Sequence, residues 1–209
     1  MRKLLVALAV LVVALVAGDF LAKAYATNQL RDRAERAVHG AMSADASISS
    51  FPFTGRLLLA GEVQNVHVRV GPVAAGRVTF SSVSVDLHDV HVDRHRLIND
   101  RKVQLTGLGR GTVTAELTDA EVSRLVGTPI TFRPGRVTVS AAGVDVAATV
   151  QVTNGSMSFG GLRLPISFRI PHAPLFPCDA TSAVVKQGAV DLSCTVTSVP
   201  PELVGRALQ

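Results

Sequence analysis

The residue types that carry out catalysis are present in this sequence, but their spacing does not assemble a reaction centre. No Gly-x-Ser-x-Gly elbow occurs, and Ser156 has no partner at a recognisable spacing. Asp86 and Asp89 are expected to face solvent from a strand. His88 and His91 are three residues apart, a spacing that does not put two ligands on one strand face, and no CxxC or HxxxH spacing is present. We therefore predict no catalytic residue, no metal and no cofactor.

Basic residues around one turn are the first candidates for binding a ligand. Arg94 and Arg96 precede the turn, and Arg101 and Lys102 follow it. A guanidinium group can donate two hydrogen bonds to one phosphate, so this loop could hold the phosphate of a lipid headgroup. The alternative is that these charges only solvate the end of a hairpin.

Apolar residues at a second turn are the other candidates. Phe51 and Phe53 flank Pro52, and Leu57 and Leu58 follow shortly after. Aromatic rings at such a turn could enter the edge of a bilayer or guard the mouth of a lipid cleft. Burying one Phe side chain contributes about 1.5–3 kcal/mol, enough for a docking contact. The alternative is a hydrophobic staple that closes a helix onto a sheet.

The two cysteines indicate an oxidising compartment. Cys178 and Cys194 are 16 residues apart, and an even cysteine count in an exported chain favours a disulfide. Closing a loop of that size would stabilise the fold by roughly 3 kcal/mol. Two free buried thiols are the alternative.

The first residues are typical of a targeting segment. Arg2 and Lys3 precede an apolar run from Leu4 to Ala17, which is shorter than the roughly 20 residues of a transmembrane helix. We predict that residues 1–18 are a signal peptide or a membrane anchor, and that residues 19–209 form one domain outside the cytoplasmic membrane, in the periplasm or cell envelope.

Composition narrows the possible partners. The chain has 209 residues, a net charge of +5, no Trp and one Tyr. Binding to nucleic acid requires a basic stripe with stacking aromatic residues, and we find no such stripe. A mildly basic surface fits contact with anionic lipid headgroups.

Hydrophobic patterning predicts an α+β fold. Phe20 to Met42 has helical periodicity, and the rest of the chain is dominated by alternating Val-rich strands. The alternation changes phase near Gln64-Asn65, where we place a bulge, and near Ser81-Ser82 and His88-Asp89, where two bulges or a sharply bent strand would explain the shifts. Val103 to Leu117 keeps one phase. Thr118 and Glu121 have capping-box spacing for a short helix. We predict a long, curved antiparallel sheet around the N-terminal amphipathic helix, with a concave apolar face that an acyl chain or the helix itself fills.

These elements also resemble a known family. The residues that carry the resemblance are Phe51, Pro52, Phe53, Leu58, Gly61, Val63, Val66 and Val68, together with the segment 83–92. This pattern, after a basic and apolar leader and an Ala- and Arg-rich helix, resembles the actinobacterial LmeA-like phospholipid-binding family. The resemblance implies a single tubular lipid-binding (TULIP-like) module in the cell envelope. It also implies binding of phospholipids of the phosphatidylinositol type and a link to mannan elongation on lipoglycans, and it supplies no catalytic residues.

Our leading hypothesis is an exported, membrane-associated phospholipid-binding protein without enzymatic activity, with envelope glycan-synthesis proteins as possible partners. The alternative is an envelope scaffold or protein-interaction module that has no lipid cavity. A weak glycan-processing enzyme is the third hypothesis.

Overall fold

The structure is a computed structural model that describes residues 2–37, 43–100, 104–141, 143–153, 155–161, 166–170, 178 and 180–197. Its helices are α1 (Arg2–Ala37), α2 (Phe53–Leu59), α3 (Arg94–Asn99) and α4 (Asp119–Val126). The predicted leader from Arg2 onward and the predicted amphipathic helix as far as Ala37 are both part of α1, which continues through Gly18 without interruption. The last predicted residues of that helix, 38–42, lie outside the described residues. Within the described ranges, no helix has the length and hydropathy that crossing a membrane requires.

The strands of the described residues form two antiparallel sheets and a small hairpin. The larger sheet has the order β1 (Ser43–Ser49), β2 (Glu62–Gly71), β5 (Ser82–Val92), β6 (Leu105–Thr118), β13 (Ala189–Val196), β12 (Ser182–Lys186). The smaller sheet has the order β11 (Ile166–Arg169), β10 (Ser156–Gly160), β9 (Val144–Thr153), β8 (Arg136–Ala141), β7 (Ile130–Arg133). The hairpin pairs β3 (Val73–Ala75) with β4 (Val78–Phe80). The predicted α+β class, with a long antiparallel sheet and an N-terminal helix, is confirmed. The described strands form two sheets rather than the predicted single one, and α1 packs mainly against β1, β2 and α2 instead of lying inside a sheet that surrounds it.

The six-stranded sheet has one polar and one apolar face, because polar and apolar residues alternate along its strands. In β1, Ala44, Ala46 and Ile48 are buried, while the serines and Asp45 between them are exposed. The polar face of the next two strands includes His67 of β2 opposite Asp86 of β5.

The first apolar cluster fills the space between the two sheets. Of its buried residues, Phe80, Phe132 and Phe159 are at most 1% exposed. The hairpin contributes Phe80, and α4 contributes Val122. This part of the sheet therefore packs against the protein's own side chains.

The second apolar cluster lies where α1 and α2 pack against the sheet. Its buried residues are Ile48, Phe53, Val63 and Val90, and its partly buried residues are Ala22, Ala26, Leu30, Leu57, Val66, Leu87, Leu105 and Leu108. Ala44 belongs to the first cluster and Ile48 to the second, and their even spacing in β1 puts both clusters on one face of the sheet. The principal contacts of α1 are with β1, β2 and α2.

In three neighbouring strands, the alternation of polar and apolar residues shifts by one residue. The shifts lie side by side across the sheet, at what we call the level of the phase change. Val63 and Val66 of β2 both reach the second cluster although they are three residues apart, and Leu87 and Val90 of β5 do the same. The Cα pairing keeps its register across this level and omits Gln64, Asp89 and Gly109, which lie next to one another. Between β5 and β6 the register shifts farther along, between His91 and Val92. The phase changes predicted near Gln64-Asn65 and His88-Asp89 are therefore confirmed, but the predicted bulges are wrong there, because each strand omits one residue from the pairing. Near Ser81-Ser82 the predicted single strand is instead divided into β4 and β5.

We predicted that polar and apolar residues alternate in a single phase from Val103 to Leu117, but strand β6 does not keep one phase. A Cβ on Gly107 would lie nearest to His91, which is exposed, whereas one on Gly111 would contact Leu87 and Leu108. These glycines consequently face opposite sides of the sheet. Gly109 lies at the level of the phase change, where a Cβ would be 2.9 Å from that of Asp89, so a side chain would collide there.

Two short helices were missed, and one was predicted. We expected α2 and α3 to be turns. For α4 the prediction is confirmed: the Thr118 hydroxyl accepts a hydrogen bond from the Glu121 backbone N–H at 3.3 Å, and Gly127 ends the helix in the left-handed conformation.

Candidate functional site

At one end of the molecule, α1 and α2 are connected by hydrogen bonds, a contact that we call the joint between them. Pro52 at the start of α2 provides no side chain that can cap the helix. Asp19 of α1 caps the helix instead. Its carboxylate accepts hydrogen bonds from the backbone N–H groups of Phe53 (2.9 Å) and Thr54 (2.6 Å). These two groups are among the first N–H groups of a helix, which have no partner inside it. The carboxylate thus fixes α2 to the long helix.

Hydrogen bonds to the ionised carboxylate lower the pKa of Asp19. The backbone N–H of Thr54 has the largest effect and that of Phe53 the next, while partial burial acts in the opposite direction. Asp19 is therefore charged at neutral pH. Our sequence analysis missed this residue, although a lone carboxylate immediately after an apolar run was a usable signal.

The four predicted apolar contact residues lie in two different environments. Phe51 is 63% exposed and Leu58 is 44% exposed, so both are on the surface. Phe53 is only 4% exposed, and Phe53 and Leu57 both pack in the second apolar cluster. Phe53 thus corresponds to the alternative we considered, a staple between the helix and the sheet.

Leu59 is a further exposed residue of this end that our sequence analysis missed. It is 78% exposed at the last position of α2. A signal was present, because three consecutive leucines on a short helix are 100° apart and cannot all face one core. Phe51, Leu58 and Leu59 together are called the apolar tip below.

A basic helix adjoins the apolar tip. Asp93 caps α3 by accepting a hydrogen bond from the Arg96 backbone N–H at 3.1 Å. Arg94 donates from its guanidinium group to the backbone carbonyl of Leu59 at 2.5 Å, which connects α3 to the end of α2. Arg94 and Arg96 are exposed, as is Ile98.

The structure therefore brings the predicted apolar and basic residues together only in part. Arg94 lies next to the apolar tip through its bond to Leu59, and Arg96 is on the same short helix. Arg101 and Lys102, the other two predicted headgroup residues, lie outside the described residues. The predicted disulfide between Cys178 and Cys194 is present, with a Cα–Cα distance of 6.2 Å.

The second apolar cluster is much less completely buried than the first. Among the residues that the structure describes, the first has 24 buried members and 10 partly buried ones, whereas the second has 4 buried and 8 partly buried. Among the partly buried members, Ala22 and Ala26 present small side chains from α1, and Leu87 and Leu108 lie on the central strands of the sheet. Partly exposed apolar side chains next to an apolar tip can accept a hydrocarbon chain.

Among the described residues, titratable side chains pair on the polar face of the six-stranded sheet but form no metal site. On the polar face, the Nδ1 of His67 is 2.5 Å from a carboxylate oxygen of Asp86. In the part of the chain that the structure describes, no group of three or more His, Cys, Asp or Glu side chains could hold a metal ion.

Comparison with known proteins places this arrangement in a family. No curated protein and no solved structure matches the chain. The model of the family described as LmeA-like phospholipid-binding matches residues 17–208, which is nearly the whole chain. The protein therefore belongs to the LmeA-like phospholipid-binding family.

Proposed function

We propose that this protein is an exported phospholipid-binding protein of the cell envelope, which docks on a membrane surface and catalyses no reaction. Membership of a phospholipid-binding family supports the ligand class. The observation that carries the proposal is the second apolar cluster, which has more partly buried than buried members and lies beside the exposed apolar tip.

The acyl chain occupies the contact between α1 and the sheet. Ala26 leaves more space there than a larger apolar residue would, and Leu87 and Leu108 offer partly exposed apolar surface. The first cluster is a poor site for a chain, because its fully buried phenylalanines fill the space between the sheets. The headgroup lies near Arg94 and Arg96, whose guanidinium groups can donate paired hydrogen bonds to phosphate.

Finer features of the proposal rest on the family resemblance. The fold is a single tubular lipid-binding (TULIP-like) module, and the preferred ligand is of the phosphatidylinositol type. Residues 1–18 direct export and are either cleaved or kept as an anchor. The protein supports mannan elongation on lipoglycans or maintenance of the envelope, and its partners include proteins of glycan synthesis.

Native mass spectrometry with lipid extraction tests the proposal directly. The protein purified from its cells should carry phospholipid, and delipidated protein should bind vesicles containing phosphatidylinositol more tightly than vesicles of phosphatidylcholine alone. Lipid-free protein that ignores both kinds of vesicle would instead support a scaffold that has no lipid cavity.

A space-filling substitution locates the acyl chain. Ala26→Phe puts a ring into the second cluster and should expel most of the bound lipid while the protein stays folded. Ala24→Phe is the matched control, because Ala24 is exposed on the same helix and the ring would extend into solvent. Equal lipid content in the two variants would refute binding between α1 and the sheet.

A further inference from the structure

A polar cavity of about 510 Å³ lies at the β1 edge of the six-stranded sheet, apart from the second apolar cluster. The polar side chains that line it are those of Arg31, Ser43, Asp45, Arg69, Ser81 and Ser82. They come from α1, from the paired strands β1 and β2, from Ser81 between β4 and β5, and from Ser82 at the start of β5. None of these six residues belongs to either apolar cluster or to the apolar tip.

Close backbone packing gives this cavity a fixed floor. A Cβ on Gly71 would lie 2.4 Å from the carbonyl oxygen of Ser81, so only glycine fits between β2 and the turn before β5. The Ser43 hydroxyl donates to the Gly71 carbonyl at 3.2 Å, and the Ser81 hydroxyl donates to the Glu116 carboxylate at 2.6 Å. Several lining groups are therefore held in place by the fold.

Donors and acceptors are mixed in the lining. Arg69 donates to the Ser82 hydroxyl at 3.0 Å, and its guanidinium group is also 3.8 Å from the Glu116 carboxylate. Asp45 lies directly across from Arg69 in the strand pair. Within the described part of the chain, the Asp45 carboxylate has neither a hydrogen bond nor an ion pair, so both of its oxygens can accept from a ligand.

The charge balance distinguishes between classes of ligand. Two guanidinium groups face the cavity together with the Asp45 carboxylate, and the Glu116 carboxylate lies beside Arg69. A phosphate group would be repelled by Asp45 and attracted by arginines that are partly neutralised. The described lining residues include no aromatic ring on which a base could stack. A neutral ligand with many hydroxyl groups meets all the requirements, because each hydroxyl can both donate and accept.

We propose that this cavity binds a polyhydroxylated ligand of the sugar type. The Asp45 carboxylate accepts hydrogen bonds from neighbouring hydroxyls of the ligand, and Arg31 and Arg69 donate to its oxygens. Arg31 follows Asp19 by twelve residues in α1, which is about 18 Å along the helix. The cavity is thus separate from the apolar tip, and the proposal does not depend on phospholipid binding.

Ligand-observed NMR on the full chain tests this site. The probes are methyl glucoside, methyl mannoside, methyl galactoside and myo-inositol, with inorganic phosphate as the anion. At least one of the four polyols should bind, and phosphate should not compete with it. Asp45→Asn should weaken binding about tenfold through loss of charge-assisted hydrogen bonds, and Ser43→Ala should weaken it severalfold. Asp100→Asn, which makes the same charge change at an exposed residue outside the cavity, should bind like the wild type.

Vesicles carrying a glycosylated diacylglycerol separate two sources of the sugar. Tighter vesicle binding that Asp45→Asn abolishes identifies a glycan attached to a lipid, whereas binding of the soluble probes alone identifies a free sugar. The proposal is overturned if none of the four polyols binds, if Asp45→Asn leaves their binding unchanged, or if phosphate binds and Asp45→Asn strengthens it.

Discussion

Of the two phenylalanines beside Pro52, replacing Phe51 should mainly weaken docking on a membrane, whereas replacing Phe53 should mainly destabilise the fold. Phe51 is 63% exposed and Phe53 is 4% exposed, although they are two residues apart. Phe51→Ala and Phe53→Ala therefore separate docking on a membrane from stability of the fold. A double substitution would confuse the two effects, because it would also open the second apolar cluster.

The expected effects on stability follow from burial. Removing a buried Phe side chain costs about 3–5 kcal/mol, and a surface change costs up to about 0.5 kcal/mol. At this chain length, 1 kcal/mol corresponds to about 2–4 °C in Tm. Phe53→Ala should therefore lower Tm by about 6–20 °C, and Phe51→Ala by about 2 °C or less. Thermal unfolding followed by circular dichroism measures both.

For membrane docking, we expect the larger effect from Phe51→Ala and the smaller one from Phe53→Ala. Full burial of a Phe side chain contributes about 1.5–3 kcal/mol. Scaled by the exposed fraction of Phe51, insertion of its ring contributes about 1–2 kcal/mol, so Phe51→Ala should weaken partitioning to anionic vesicles about 5- to 25-fold. Sedimentation with vesicles measures the partition coefficient at temperatures where both variants are folded.

An exposed apolar residue far from the tip supplies the control. Val144 of β9 is 61% exposed, and Val144→Ala should leave both Tm and partitioning almost unchanged. The docking surface is wrong if Phe51→Ala partitions like the wild type. The burial of Phe53 as a structural staple is wrong if Phe53→Ala leaves Tm unchanged.

Two further predictions concern the covalent and electrostatic links of the fold. Cys178→Ser together with Cys194→Ser should lower the free energy of unfolding by about 3 kcal/mol, given the 16-residue separation, and denaturant unfolding measures this; an unchanged unfolding midpoint would contradict it. Asp19→Ala should destabilise the joint between α1 and α2 at pH 7. Because folding lowers the pKa of Asp19, its contribution is present above the unfolded pKa of about 3.9 and is lost as the pH falls through the lower folded value. The difference in Tm between Asp19→Ala and the wild type should therefore shrink below about pH 4, and a difference that is constant from pH 7 to pH 3 would count against the carboxylate.

Features with a local cause could be predicted from the sequence. The cap of α4 depends on Thr118 and Glu121, which are three residues apart, and the pattern alone indicates it. Phase changes in β2 and β5 were visible because valine and leucine mark the apolar side on both sides of each change. The disulfide followed from having only two cysteines in a chain that its first residues predict to be exported.

Features that depend on residues far apart in the sequence, or on residues without side chains, could not be predicted. The cap of α2 is Asp19, which precedes the first helical residue by 34 positions, so no local pattern at Phe53 announces a helix. In β6, Gly107 and Gly111 have no side chains that could indicate which face they occupy. Leu108 was an informative residue there, because it was out of phase with the single alternation we predicted.

The shift in alternation explains how one face of one sheet carries both a mostly buried and a mostly partly buried apolar cluster. If β2, β5 and β6 had kept strict alternation past Gln64, Asp89 and Gly109, then Val63, Val90 and Leu108 would face the polar side of the sheet. Because three neighbouring strands change together, their pairing stays in register and the apolar face continues beyond the first cluster. The first cluster, closed between two sheets, can then supply most of the stability. The second, which Phe53 anchors under α1, has more partly buried than buried members among the described residues and so leaves apolar surface available to a ligand.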